Sequence, residues 1–361
     1  MKKNVSKPLG IISLFLVSTL LIGCQEDSES YLNFSKTIEE PILTGLSTEK
    51  SRVKYHQPLP DIKDLNLNPK KIDLGNMLYH DTRLSGDGTL SCASCHVYSE
   101  GGDDNAAVST GINGQLGPIN SPSTLNSGLS FKQFWDGRAA SLRLQAEGPV
   151  ANPGEMGAKW PNVVARIQTV DQYQDLFKNI YPIQGISKYT ITDAIAEFER
   201  SLMTPAPVDA YLRGDDSALT ANQIEGYGLF QSYGCVSCHQ GAGFGGNMMQ
   251  KFGAISAFFS EKDQSFVNNG RFNLTNNEED KHVFKVPSLR NVELTAPYFH
   301  TGGTKTLDQA ITVMGLNQLG RLIPKEDRAK IADFLTSLTG VVNIKPVSPP
   351  PLVTSTDNSQ H

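Results

Sequence analysis

The sequence predicts a mainly α-helical protein of two loop-rich domains, each wrapped around something other than its own side chains. Three observations lead there. The pentapeptide Cys92-Ala93-Ser94-Cys95-His96 recurs as Cys235-Val236-Ser237-Cys238-His239, each copy in its own domain-sized block. Apolar residues return at helical spacing in Ile191, Ile195, Phe198 and Leu202, and again over residues 224–230 and 331–338, while strand-like alternation is scarce. Residues 101–120 and 241–277 are rich in Gly and Asn, which make turns rather than core. A chain of 361 residues with 39% hydrophobic content is ample for two such domains.

Taken in order, residues 1–23 read as a processing segment, with Lys2, Lys3 and Lys7 ahead of an apolar run too short to span a membrane comfortably. The run ends in Leu21-Ile22-Gly23-Cys24, which resembles a bacterial lipobox, so Cys24 is the expected lipidation site. That implies a periplasm-facing lipoprotein, and Gln25 after the cysteine favours the outer over the inner membrane. Polar residues 24–52 read as a flexible tether. Two domains follow, 53–207 and 208–341, with the crossing in the Pro- and Gly-bearing stretch 204–216. Residues 342–361, with Pro346, Pro349, Pro350 and Pro351, read as a disordered tail. The formal charge is −5, and the leader holds three lysines and no acid, so the processed chain is more acidic still. Such a surface favours a basic protein partner and argues against nucleic acid.

The repeated pentapeptide carries the chemistry. Two thiols at this spacing can bond both vinyl groups of one haem, while the following histidine offers an imidazole to the iron. Zinc would want the Cys-x-x-Cys pairs close together, and redox Cys-x-x-Cys motifs rarely carry the next histidine. The expectation is therefore two covalent c-type haems, on Cys92, Cys95 and His96 and on Cys235, Cys238 and His239. What each iron does depends on its second axial position. For the second haem the candidate is Met314, a thioether that would raise the potential, with His300 and His282 as rivals. Met248 and Met249 follow His239 too closely to wrap round to the far face. For the first, no histidine lies between His96 and His239, leaving His56 and His80 upstream, and locally Met156 next to Glu155. Methionine there would make an electron relay; glutamate beside an open iron would make a peroxidase.

From about residue 55 to 340 the chain resembles the bacterial di-haem cytochrome c peroxidases, whose domains are cytochrome c-like. The resemblance rests on Leu84-Ser85, Gly117-Pro118-Ile119-Asn120-Ser121-Pro122, Gln133-Phe134-Trp135-Asp136-Gly137-Arg138, the stretch from Gln145 to Glu155-Met156, Val286-Pro287-Ser288-Leu289-Arg290-Asn291 and Thr295-Ala296-Pro297-Tyr298-Phe299-His300. It implies that the first haem is peroxidatic, with Gln145, Pro149 and Glu155 on its distal side and Met156 merely packed. It implies that the second haem transfers electrons on His239 and Met314, and that Trp135 lies between the two. A calcium ion is implied at the Asn120 side chain and the backbone carbonyls of Thr295 and Pro297. One position departs from many relatives: Ile112 stands where they carry a removable distal histidine, so the first iron is expected to be open before any reduction. A sister branch that oxidises a protein substrate has Tyr where this chain has Met314.

Peroxide takes two electrons and a small redox protein delivers one, so the second haem serves as a store. Glu155 is the expected proton shuttle, Gln145 an orienting group, Trp135 a relay, and Arg138 a partner for a carboxylate or propionate. His56 and His80 read as ordinary surface or packing residues, His300 as structural, and His361 as part of the tail. The expected partners are hydrogen peroxide and a small c-type cytochrome or cupredoxin, or a quinol, with a homodimer as the expected assembly. The competing readings are a di-haem electron carrier and a protein-modifying oxidase.

Overall fold

The computed structural model describes residues 54–260 and 265–352; the leader, Cys24, the tether through residue 53 and His361 lie outside them. Helices dominate, and the one two-stranded sheet among the described residues pairs β1 (Met249–Lys251) with β2 (Val283–Lys285) antiparallel, Met249 opposite Lys285. No helix of the described residues is long and apolar enough to cross a membrane.

Two helix pairs organise the chain. In the first, α1 (Pro69–Tyr79) packs against α3 (Lys188–Ser201), with α2 (Leu142–Ala151) beside α3. In the second, α4 (Ala221–Tyr233) packs against α6 (Lys325–Thr336), next to α5 (Leu307–Val313). Their starts are written locally. Asn68 accepts from the amides of Lys70 and Lys71 with Pro69 at the first helical position, and Ser187 and Thr220 form capping boxes with Thr190 and Gln223. Gly234, at φ 97°, ends α4 in the left-handed conformation that glycine adopts without steric cost.

Each pair crosses at a glycine. A methyl group on Gly75 would run into the Ala194 carbonyl and Phe198, and one on Gly226 into the Lys330 carbonyl and Phe334. Around the first crossing lie Leu74, Leu78, Ile191, Ile195, Phe198 and Leu202, all buried. Around the second lie Tyr227, Phe230, Phe244, Ile331, Phe334 and Leu338. Burying each such side chain stabilises the fold by about 1.5–3 kcal/mol. The helical periodicity expected for residues 191–202 and 331–338 thus marks the inner faces of both pairs.

The buried members of the first core run from Leu74 to Leu202 and those of the second from Ala206 to Leu338, within one compact unit. The ends of the described chain cross over. Residues 54–59 dock on the second core: the Gly241 amide donates to the Tyr55 carbonyl (2.9 Å), and the Leu59 amide to Asp209 (2.7 Å). Residues 342–352 return to the first, where Val342 and Ile344 pack, Asn76 brackets Lys345 and Val347, and Arg83 donates to the carbonyls of Pro350 (2.8 Å) and Pro351 (2.7 Å). The expected disordered tail is corrected to this extent. As far as residue 352 it is an extended strap, because the buried Arg83 and Asn76 need the acceptors and donors that its backbone supplies.

Candidate haem and peroxide sites

Each Cys-x-x-Cys-His motif opens with one short turn, Cys92–Ser94 or Cys235–Ser237, closed by a bond from the histidine amide to the first cysteine carbonyl (3.1 Å at His96, 3.0 Å at His239). The four thiols are unpaired. His96 Nδ1 donates to the Gly102 carbonyl (3.0 Å), and His239 Nδ1 to the Phe244 carbonyl (3.1 Å). A carbonyl can only accept, so Nδ1 carries the proton and Nε2 keeps its lone pair, the tautomer that iron requires. Burial holds His239 down to about 4 and lowers His96 as well, so both rings are neutral. This chemistry fits a covalent haem at each motif.

Each proximal histidine also has its own carbonyl held. Tyr79 Oη donates to His96 O (3.3 Å) and meets Thr124 Oγ1 (3.1 Å). In the second lobe the position four residues after the crossing glycine is Phe230, which has no hydroxyl, and His56 Nε2 bonds His239 O instead (2.9 Å). Of the two readings of His56, surface or packing, the structure shows packing: it is fully buried, bonded to Tyr227 Oη (2.9 Å) and stacked on Phe244 with ring centroids 3.9 Å apart. His80 does pack, on Tyr79 and Tyr98.

A mostly apolar cavity extends from Cys235, Cys238 and His239 to Met314. Met314 caps α5 and opens a π-helical turn, Met314–Gln318, a local distortion common at functional positions. The rival histidines have other partners: His300, which lines the same cavity, meets Asn268 Oδ1 through Nε2 (2.9 Å) and stacks on Phe284 (4.3 Å), and His282 Nδ1 meets the Asn268 carbonyl (2.6 Å). Trp135 lines the same cavity, its Nε1 donating to the Asn120 carbonyl (2.9 Å) and its ring edge-on to His300.

The first motif is furnished differently. Met156 is 5% exposed and belongs to the apolar core. Beside it Glu155 is half-buried and takes a bond from Asn152 Nδ2 (2.6 Å); burial raises its pKa against the opposing pull of that bond and of Arg138. Gln145 and Pro149 lie one turn apart on α2, and the chain then curls back, the Met156 amide reaching the Pro149 carbonyl (3.1 Å), which returns Glu155 towards that end of the helix. Ile112 donates its amide to the Glu155 carbonyl (2.8 Å) and packs its side chain against Gly157. Arg138 pairs with Asp136 (3.0 Å) and lies over the Phe134 ring (3.5 Å).

The description "di-haem cytochrome c peroxidase" matches residues 69–217 at the level of the protein family. The chain is 47% identical over 323 residues to the cytochrome c peroxidase Ccp of Escherichia coli K12, covering 89% of this chain and 68% of that one. It is 44% identical over 287 residues to the cytochrome c551 peroxidase of Nitrosomonas europaea, covering 79% and 85%. The chain belongs to the di-haem cytochrome c peroxidase family. Among solved structures, a MauG-like protein associated with microbial copper homeostasis superposes with a TM-score of 0.68 at 28% identity, over 80% of this chain and 94% of the other. As a member of this family the chain is a peroxide-reducing oxidoreductase with two c-type haems.

Two residues of this peroxidase escaped sequence reading. Asp103 is 2% exposed, pushed up to about 7 by burial, and lines the cavity that Asn120, Thr295 and Pro297 also line. Asn120 spends its Nδ2 on the Ala106 carbonyl (3.0 Å). The other is Lys285, a buried lysine in β2. The Gly101-Gly102-Asp103 run was a weak sign of the first; nothing in the local sequence marked the second.

Proposed function

We propose that the chain reduces hydrogen peroxide at its first haem, drawing electrons that arrive singly from a small c-type cytochrome or cupredoxin, or from a quinol, and are held at its second. The observation that supports this most is the unequal setting of the two motifs. Met314 faces the same cavity as His239, whereas Met156 is sunk in a core and Ile112 has no atom that could bind iron. When bound, the haems supply the iron that breaks the O–O bond and the store for one electron. The residues of the chain do the rest. Two electrons and two protons turn one peroxide into two waters, and Glu155 moves a proton from one peroxide oxygen to the other, an action worth about 10²- to 10⁴-fold. Asn152 fixes one carboxyl oxygen and leaves the other for that proton. Gln145 orients the peroxide, and Trp135 passes electrons between the haems.

Further parts of the same proposal are a calcium ion on Asn120 Oδ1 and the carbonyls of Thr295 and Pro297, lipid anchoring through Cys24 on the periplasmic face of the outer membrane, and a homodimer. The haem domains are 53–207 and 208–341, with residues 54–59 lent to the second. Met314, where a protein-oxidising relative would carry Tyr, disfavours that activity. Electron paramagnetic resonance and optical spectra test the reading, taken on the oxidised and one-electron-reduced protein before and after one equivalent of peroxide. A high-spin signal in the oxidised sample, lost on peroxide addition to the half-reduced one, is expected. Two low-spin haems inert to peroxide in both states would point to an electron carrier instead.

A further inference from the structure

We infer that Lys285 is the cation that holds a propionate of the second haem beside Trp135. Lys285 ends β2, 9% exposed, and lines the cavity shared by His239 and Met314. Its own amide donates to the Trp135 carbonyl (2.7 Å), so its place relative to that ring is set by backbone. No carboxylate of the described residues pairs with it, and burial alone drags its amine down to about 8. A buried ammonium without a counter-ion is costly, so the anion belongs to whatever fills the cavity. The other buried cation there, Arg290, is committed to both oxygens of Asp209 (2.8 and 3.1 Å) and to the Ala242 carbonyl, and Lys251 is exposed. The buried acid, Asp103, forms no ion pair with Lys285. A haem attached at Cys235 and Cys238 brings two carboxylates into this space, and Lys285 is the uncommitted buried positive charge waiting for one. A cation at that place favours the reduced haem and so supports its role as the store.

This inference rests on the reading of the second motif as an electron-holding haem with His239 and Met314 ligands, and the test separates the two. K285Q, K285M and K285R are compared as haem-loaded proteins by optical redox titration of each haem. The neutral variants are expected to lower the equilibrium constant for reduction of the second haem about tenfold, which for one electron is 59 mV. The first haem should move less, and K285R should restore most of the loss. An unshifted potential in both neutral variants, or K285R falling as far as K285Q, overturns the inference. If the neutral variants do not load haem, redox-triggered infrared difference spectra of wild type and K285R, with carbon-13 in the propionate carboxyls, decide. A carboxylate band moved by K285R supports the contact, and an identical band overturns it. A wild-type spectrum without the His/Met signature would instead defeat the reading of the axial ligands, while the infrared band still reports on Lys285.

Discussion

His56 Nε2 donates to the carbonyl oxygen of His239 across 2.9 Å, and its Nδ1 accepts from the Tyr227 hydroxyl at the same distance. A residue from the first few described positions of the chain thereby holds the backbone of the second haem motif, as Tyr79 does for the first. Replacing His56 with alanine removes the donor that the His239 carbonyl uses and the acceptor that the Tyr227 hydroxyl uses, leaving that hydroxyl its bond to Gln231, at a cost of about 1–3 kcal/mol. Denaturant unfolding of the holo-protein should show that loss, and haem content at the second motif should fall more than at the first.

The same imidazole makes stability depend on pH. Burial lowers its pKa from 6.5 to about 4, so between those values the unfolded chain binds the proton and the folded one does not. Its contribution is present in full above 6.5 and drains away as pH falls through that window. Midpoints of unfolding measured from pH 7 to pH 4 should fall less steeply in H56F than in wild type.

Glu155→Gln keeps the size of the side chain and removes the proposed proton shuttle. The rate of peroxide reaction, followed by stopped-flow absorbance, should drop about 10²- to 10⁴-fold with the haem spectra unchanged. Because burial raises the Glu155 pKa, the wild-type limb of the pH profile should lie above the usual glutamate range and vanish in E155Q.

Met314→His exchanges a thioether for an imidazole at the proposed axial position of the second haem. Its midpoint potential should fall, since a His/Met pair holds iron at a higher potential than nitrogen ligands alone, and the protein should store its first electron less firmly. Optical redox titration reads this directly, and the first haem is the internal control.

Gly75→Ala and Gly226→Ala should each destabilise by about 1–3 kcal/mol, because the added methyl meets a carbonyl of the partner helix and forces the pair apart. Gly228→Ala, on the same helix α4 with open space at its Cβ, should be neutral or mildly stabilising. Thermal unfolding of the three variants distinguishes a crossing point from a mere helix glycine.

Much of the site was legible because its chemistry is local. Cys-x-x-Cys-His states its ligand within five residues, and Ile191, Ile195, Phe198 and Leu202 announce a buried helix face by spacing alone. The duplication was only half visible. The pentapeptides repeat, but the crossing at Gly75 and Gly226 does not show until Phe198 and Phe334 are seen lying against them.

What the sequence determined by itself was the number of c-type haems, the helical class and the family, since each depends on residue types a short distance apart. Tertiary structure decided the rest: that Met156 is core and Met314 faces a cavity, that His56 braces a motif far along the chain, that residues 342–352 form a strap, and that Lys285 is buried with no carboxylate of the described residues paired to it. Burial and long-range hydrogen bonding belong to pairs of distant segments, and no window along the chain contains both members of such a pair.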